Sequence, residues 1–442
     1  MSAPGPQSAS WWRRFRDEPV VANFGWLTFE KLVRMTLGLF VGTWVARYLG
    51  PADYGTLNYG IAITGILSVV PMLGLDAIVR RRLRQTPGDT GAILGTAFLL
   101  KLGAGVLTYA ATITGMWLFE PNPTARFVVI VTALLHVHQS MMIFDVYFQS
   151  HLQARYGVWA QNIAFTLSAL GRVVLILAGA KIEAFALMLV IEMPAASLLF
   201  VWFYRRNGGQ LGTWQWRGNL ASALLRESWP LALAAIASIL YLRLDQVMLV
   251  HLASPQEAGR YAAAARLYEL CGFLPVALAA SLAPALLTAH ATDRADFDRR
   301  VRGLFARAAQ LAYAAAVPGI LLSGVIVSLL FGPAYAATVS MFIVLLLGYP
   351  FLAVGIAREQ VLIAEQKPRR QLAAMISGVA LNLLLNLILI PRFGGLGAAG
   401  ASALAQATAG VLSSFAWRDT RLIGRWQLQA LVAPWRKPPL TP

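Results

Sequence analysis

The chain has 442 residues, of which 58% are apolar and only 13% charged, where an ordinary soluble domain carries about 25% charged residues. Its formal net charge is +17 and it holds one cysteine, Cys271. These figures exclude a soluble fold, an intrachain disulfide framework and a cysteine-ligated zinc site. They leave an all-α polytopic membrane protein, because the apolar runs are continuous, not alternating as in a β-barrel.

In chain order, residues 1–26 form a polar leader containing Trp11, Trp12, Arg13, Arg14 and Arg16. It lacks the apolar stretch of a cleaved signal peptide and is expected on the cytoplasmic membrane surface. Six apolar runs follow, over 27–49, 59–79, 92–119, 127–148, 158–180 and 182–203. Each approaches or exceeds the roughly 20 residues that cross a hydrocarbon core as a helix. A basic connector, 205–228, carries Trp214, Trp216 and Arg217 and suits the membrane–water interface. Six further runs occupy 230–252, 261–287, 304–331, 334–356, 372–390 and 396–417. The expected organisation is therefore twelve spans in two six-helix bundles, 27–204 and 229–417, with a cytoplasmic tail over 418–442.

Loop charge sets the expected orientation. The leader, the even-numbered loops and the tail carry roughly 25 Lys and Arg, and the odd-numbered loops about four. Clusters include Arg80, Arg81, Arg82 and Arg84, then Arg294, Arg299, Arg300 and Arg302. Both termini are thus expected in the cytoplasm, with the basic loops meeting anionic membrane lipids instead of nucleic acid. The stretch TDRADFDRRVRGLFARA, from Thr292, places Phe297, Val301, Leu304 and Phe305 on one helical face and reads as the lead-in to the ninth span.

An internal repeat is visible. VARYLGPADYG near the end of the first span and VHLASPQEAGR near the end of the seventh align Pro51, Asp53 and Gly55 with Pro255, Glu257 and Gly259. Proline stops the first helix and fixes φ, the carboxylate favours the first turn of the next helix, and glycine permits a turn or close packing. The offset predicts two related halves of the same orientation.

No nucleotide-binding G-x-x-x-x-G-K-[ST] and no H-E-x-x-H occurs, so any transport energy is expected from a gradient or from the substrate. No cofactor or metal is expected. The remaining signal is charge inside spans, where each ionised group costs about 2.5–3.5 kcal/mol on insertion scales. Lys101, Arg172 and Arg243, with Lys31 and Arg34 near the start of the first span, are candidates for a cationic cavity that takes a phosphate. Glu192, beside Pro194 in the sixth span, and Asp245, Glu269 and Glu30 are candidate ion-coupling groups. The competing reading for each is a structural ion pair; Glu30 and Arg34, four apart, are spaced for one. His136 and His138 read as core histidines. The stretch PRFGGLGAAGASA, 391–403, is glycine-rich but follows a span, so close helix packing explains it better than a phosphate loop.

WVARYLGPADYGTLNYG, GLDAIVRRRLRQTP and ILGTAFLLKLGAGVL resemble the first three helices of lipid-linked oligosaccharide flippases. These bacterial O-antigen and polysaccharide transporters belong to the multidrug/oligosaccharidyl-lipid/polysaccharide (MOP) exporter superfamily. REQVLIAEQKPRRQ and LNLLLNLILIPRFGGLGAAGASALAQ resemble its eleventh and twelfth helices. The resemblance implies a MATE-like V-shaped architecture. It implies a polyprenyl-diphosphate-linked oligosaccharide as cargo, moved by alternating access across the bacterial inner membrane for lipopolysaccharide or other surface polysaccharide, alongside polysaccharide polymerase machinery. It carries over no catalytic residues. A MATE-type drug/cation antiporter is the first alternative, disfavoured by the basic balance of the deep charges. A membrane polysaccharide polymerase or ligase is the second, disfavoured by the short outward loops.

Overall fold

A computed structural model describes residues 19–435; every statement below concerns them. The leader's Trp11, Trp12 and arginines, and tail residues 436–442, lie outside the described residues. The described chain is helical throughout, with no strand among the described residues. The α-helices are α1 (Pro19–Leu67), α2 (Val69–Met72), α3 (Leu75–Gln85), α4 (Thr90–Phe119), α5 (Pro123–Thr132), α6 (Leu135–His138), α7 (Ile143–Ser150), α8 (Ala154–Leu177) and α9 (Ile182–Arg206). Then follow α10 (Gly218–Leu252), α11 (Pro255–Thr292), α12 (Arg294–Phe331), α13 (Thr338–Ala364), α14 (Pro368–Gly410) and α15 (Arg421–Val432).

Nine segments among the described residues are long and apolar enough to cross a membrane. One, Gly25–Gln85, covers the first two expected spans, and another, Pro368–Phe415, the last two. Each is broken at a glycine with positive φ, Gly50 (φ 73°) and Gly394 (φ 55°), where a Cβ-bearing residue would be strained. The seventh expected span lies in α10. Leu118, Phe119, Leu177, Leu321 and Leu329 are each at least 70% exposed. In water that would be a fault; on a membrane protein these side chains face acyl chains.

The helices fall into two compact units. The first takes residues up to Gly42 and Leu67–Ala235; the second takes Thr43–Ile66 and everything from Ile236. The C-terminal part of α1 thus packs in the second unit although it precedes most of the first in sequence.

That placement brings the two copies of the repeat together. A Cβ built on Gly55 would fall 1.8 Å from the Pro255 carbonyl oxygen, and one built on Gly259 would fall 1.9 Å from the Pro51 carbonyl oxygen. The contact is reciprocal, as a local twofold requires. Proline does not itself stop the first helix here. Gly50 makes the break and Pro51 begins the next stretch, while Pro255 occupies the first turn of α11 under the Ser254 hydroxyl, which accepts from the Glu257 amide at 3.2 Å. Glu257 in turn accepts from the Gly395 amide at 2.9 Å, tying the repeat to the glycine-rich stretch of α14. Elsewhere in that stretch a Cβ on Gly397 would meet the Leu389 carbonyl at 2.4 Å, so its small residues serve packing.

Two segments expected at the surface are anchored. In the connector, Trp214 packs against Phe144 and Phe98, with ring centroids 5.3 and 5.5 Å away, and its indole donates to the Tyr204 hydroxyl at 3.1 Å. In the tail, α15 buries Ile423, Trp426, Ala430 and Leu431 in a cluster with Phe297, Val301, Leu304 and Phe305, the face predicted on the lead-in to the ninth span. Gln427, fully buried, donates to the Gly410 carbonyl at 2.7 Å and accepts from Ser414 at 2.7 Å.

Candidate functional site

In the first unit, the charged residues converge on Glu192. Arg34, from α1, donates to Oε1 at 3.1 Å; Arg172, from α8, lies 3.6 Å from Oε2. Arg172 also donates to Ser168 at 2.9 Å, one turn before it. The Arg34 guanidinium stands 4.7 Å from the centre of the buried Phe165 ring, a cation–π contact that fixes its plane. The hydrogen bond of Arg34 therefore reaches across to α9. Beside this cluster an open hollow of about 440 Å³ runs along α1, its described lining being Leu27, Glu30, Lys31, Arg34 and Met35. Among its described lining residues Lys31 and Arg34 outnumber Glu30, so that lining carries a positive charge. Arg34 remains a third exposed and lines the opening.

Lys101 belongs elsewhere. It is fully buried on α4 and its ammonium is paired with Asp76, at the start of α3. The expected cavity cation is thus enclosed in a helix–helix ion pair, and it presents no exposed atom to a ligand. The reason is that α4 turns this position inward, toward the one acid that α3 supplies.

In the second unit, Arg243 of α10 lies 3.5 Å from Glu269 of α11, and both remain partly exposed. Deeper in the same pair of helices is Asp245, only 4% exposed. Its Oδ1 accepts from Asn386 at 2.7 Å, and its Oδ2 accepts from Tyr261 at 2.6 Å and from Ser402. Asn386 also donates to Asn382 at 3.0 Å, and its own Oδ1 is buried without a hydrogen-bond partner. The result is a carboxylate of α10 ringed by neutral groups from α11 and both halves of α14. A charge buried in an apolar interior needs a counter-charge or must be neutralised. The arrangement fits a bound proton or a small cation held by carboxylate, hydroxyl and amide oxygens.

Asp245 stood out in the sequence as an acid inside a span, but its partners did not. Asn382 and Asn386 sit one helical turn apart in LNLLLN, and polar residues at that spacing in so apolar a run were the available signal. Ser402 carried none, since it is an ordinary residue in a small-residue stretch; Asp76, an acid inside the expected span 59–79, was visible as a charge but its partner was not. Among the described residues no group of three His, Cys, Asp or Glu could hold a metal ion.

Residues 20–290 match the family model described as "Polysaccharide biosynthesis protein". The chain belongs to this family. It is 24% identical over 409 residues to "Probable flippase AglR" of Haloferax volcanii, covering 85% of this chain and 79% of that one. Among solved structures it is similar to the lipid II flippase MurJ in an inward closed conformation, with TM-score 0.70, 15% identity, and 92% and 91% of the two chains covered. It is similar also to an inward-facing multidrug resistance MATE transporter of the MOP superfamily, with TM-score 0.69, 14% identity, and 94% and 100% covered. The membership and the superfamily fold expected from the motifs are therefore shown, and the family's relatives are membrane transporters.

Proposed function

We propose that this protein is a flippase, not an enzyme, that moves a polyprenyl-diphosphate-linked oligosaccharide from the cytoplasmic to the outer leaflet of a bacterial inner membrane by alternating access, for cell-surface polysaccharide synthesis. Both termini face the cytoplasm in this reading, and no cofactor takes part. The observation that carries it is the basic opening of the first unit. Arg34 and Arg172 are held by Glu192 beside a cavity whose rim carries Lys31. A diphosphate headgroup cannot enter hydrocarbon unaided, because its charge and hydroxyls would lose their water. Guanidinium donors and an ammonium replace that water. Arg243 is proposed to contribute from the second unit, with Glu269 holding it as Glu192 holds Arg34. Lys101 is proposed as a structural cation. Asp245 is the proposed ion-coupling group, with Glu192, Glu269 and Glu30 positioning the cations.

The test is transfer of an undecaprenyl-diphosphate-linked oligosaccharide in proteoliposomes containing the purified chain. Arg34→Gln should lower the rate by about tenfold or more, the loss expected when a charged hydrogen bond worth about 1.5–3 kcal/mol is removed. Extrusion of a cationic dye, with no transfer of the glycolipid, would instead establish the drug-antiporter reading.

A further inference from the structure

A second basic cavity lies in the second unit, away from the residues above. It encloses about 230 Å³ between Leu282, Ala285 and Leu286 of α11 and Arg299, Arg300, Gly303 and Arg307 of α12. The apolar wall follows helical spacing on α11, and Arg300, Gly303 and Arg307 share one face of α12. Gly303 keeps the cavity open: a Cβ built there meets nothing within 4 Å. Arg299 and Arg300 both bridge to Asp296, at 3.2 and 2.6 Å, so three arginines against one acid leave two net positive charges. Arg302, the neighbouring cation, is turned away onto the Trp426 ring, 4.9 Å from its centre.

The height of the cavity matters. α12 has 38 residues, which at 1.5 Å each is about 57 Å, far more than the ~30 Å hydrocarbon core. Counting roughly 20 residues back from Phe331 puts the inner boundary of the core near Leu311. Arg307 then lies about 6 Å beyond it, within the headgroup layer. An apolar wall and Arg307 at this depth match a lipid whose phosphate sits at that level, while Arg300 lies about 17 Å beyond the boundary, on the cytosolic side of the headgroups.

We infer that this cavity binds the headgroup of an anionic glycerophospholipid from the cytoplasmic leaflet. The inference rests on the orientation proposed above and is independent of the cargo. Its ligand is a phosphate diester whose phosphate meets Arg307, with the polar headgroup extending toward Arg299 and Arg300. The guanidinium groups supply the donors.

Native mass spectrometry of the full chain in detergent, titrated with phosphatidylglycerol or phosphatidylcholine, tests it. The protein should retain phosphatidylglycerol selectively. Arg307→Gln should weaken that retention about fivefold, the value of one basic residue near an anionic surface. Gly303→Leu should fill the cavity and abolish selectivity while leaving the melting temperature without lipid unchanged. Should Gly303→Leu fail to fold, the exposed Arg307 still provides the measurement. Equal retention of both lipids, unchanged retention in Arg307→Gln, or displacement of phosphatidylglycerol by equimolar undecaprenyl diphosphate would overturn the proposal. The readout involves no transport, so a negative result here leaves the flippase reading standing, and a failed transfer assay leaves this one standing.

Discussion

Single residues in this protein work by what they exclude as much as by what they bind. Gly55 and Gly259 have no side chain, and each occupies the only space a facing backbone carbonyl can take. A methyl group at either would have to push two helices apart, and backbone cannot swing aside as a flexible side chain can. Gly55→Ala is expected to destabilise the second unit by at least about 2 kcal/mol, the cost of overpacking a close contact. Thermal melting in detergent measures it, and an unchanged melting temperature would count against the reciprocal contact. Lys101 makes the complementary point. Its aliphatic stem is buried among helices and its ammonium has Asp76, so a charge that the sequence marks as conspicuous is spent on holding α3 to α4.

Among the elements, the arginine cluster of α3 shows how charge placed for topology also fastens helices. Arg80 donates to Gln149 at 2.9 Å and Arg84 to the Ser150 carbonyl at 3.2 Å, both reaching α7. Arg81 and Arg82 grip Glu227, near the start of α10 and outside the membrane. The Arg82 hydrogen bond, with the charges of Arg82, Arg81 and Arg226, holds the Glu227 carboxyl below its ordinary value of 4.5. A depressed value means that the contribution is complete above pH 4.5 and fades as pH falls through the lower, folded-state value. Glu227→Gln should therefore lower the melting temperature at pH 7, and the gap from the parent should close as the medium is acidified below about pH 4. A gap that persists at low pH would show that packing, not charge, holds this contact. The same elements mark how far pattern reading reaches. The face of Phe297, Val301, Leu304 and Phe305 was plain from helical spacing; that α15 would cover it was not, because amphipathic helices carry no address for their partners.

At the level of the whole molecule, transport needs a source of energy, and Asp245 is a buried acid suited to couple it. Asp245 is held by groups from helices far apart in sequence, so its protonation or a bound cation would alter packing among α10, α11 and α14 together. In proteoliposomes, an imposed sodium or proton gradient should accelerate glycolipid transfer by the parent protein. Asp245→Asn preserves shape and most hydrogen bonds, and it should make transfer indifferent to that gradient. A gradient response that survives the substitution would remove Asp245 as the coupling group.

The amino-acid order by itself determined the membrane character, the placing of helices and the family. All three follow from the length of apolar runs, from charge counts in loops and from turn signatures, and those are local quantities. Only the tertiary structure decided which charges meet. Arg34 and Glu192 are 158 positions apart, and Asp245 and Ser402 are 157 apart. Nothing in either neighbourhood specifies the other. Hydrocarbon demands that each buried charge find a partner without saying which, and the packing of the helices makes that choice.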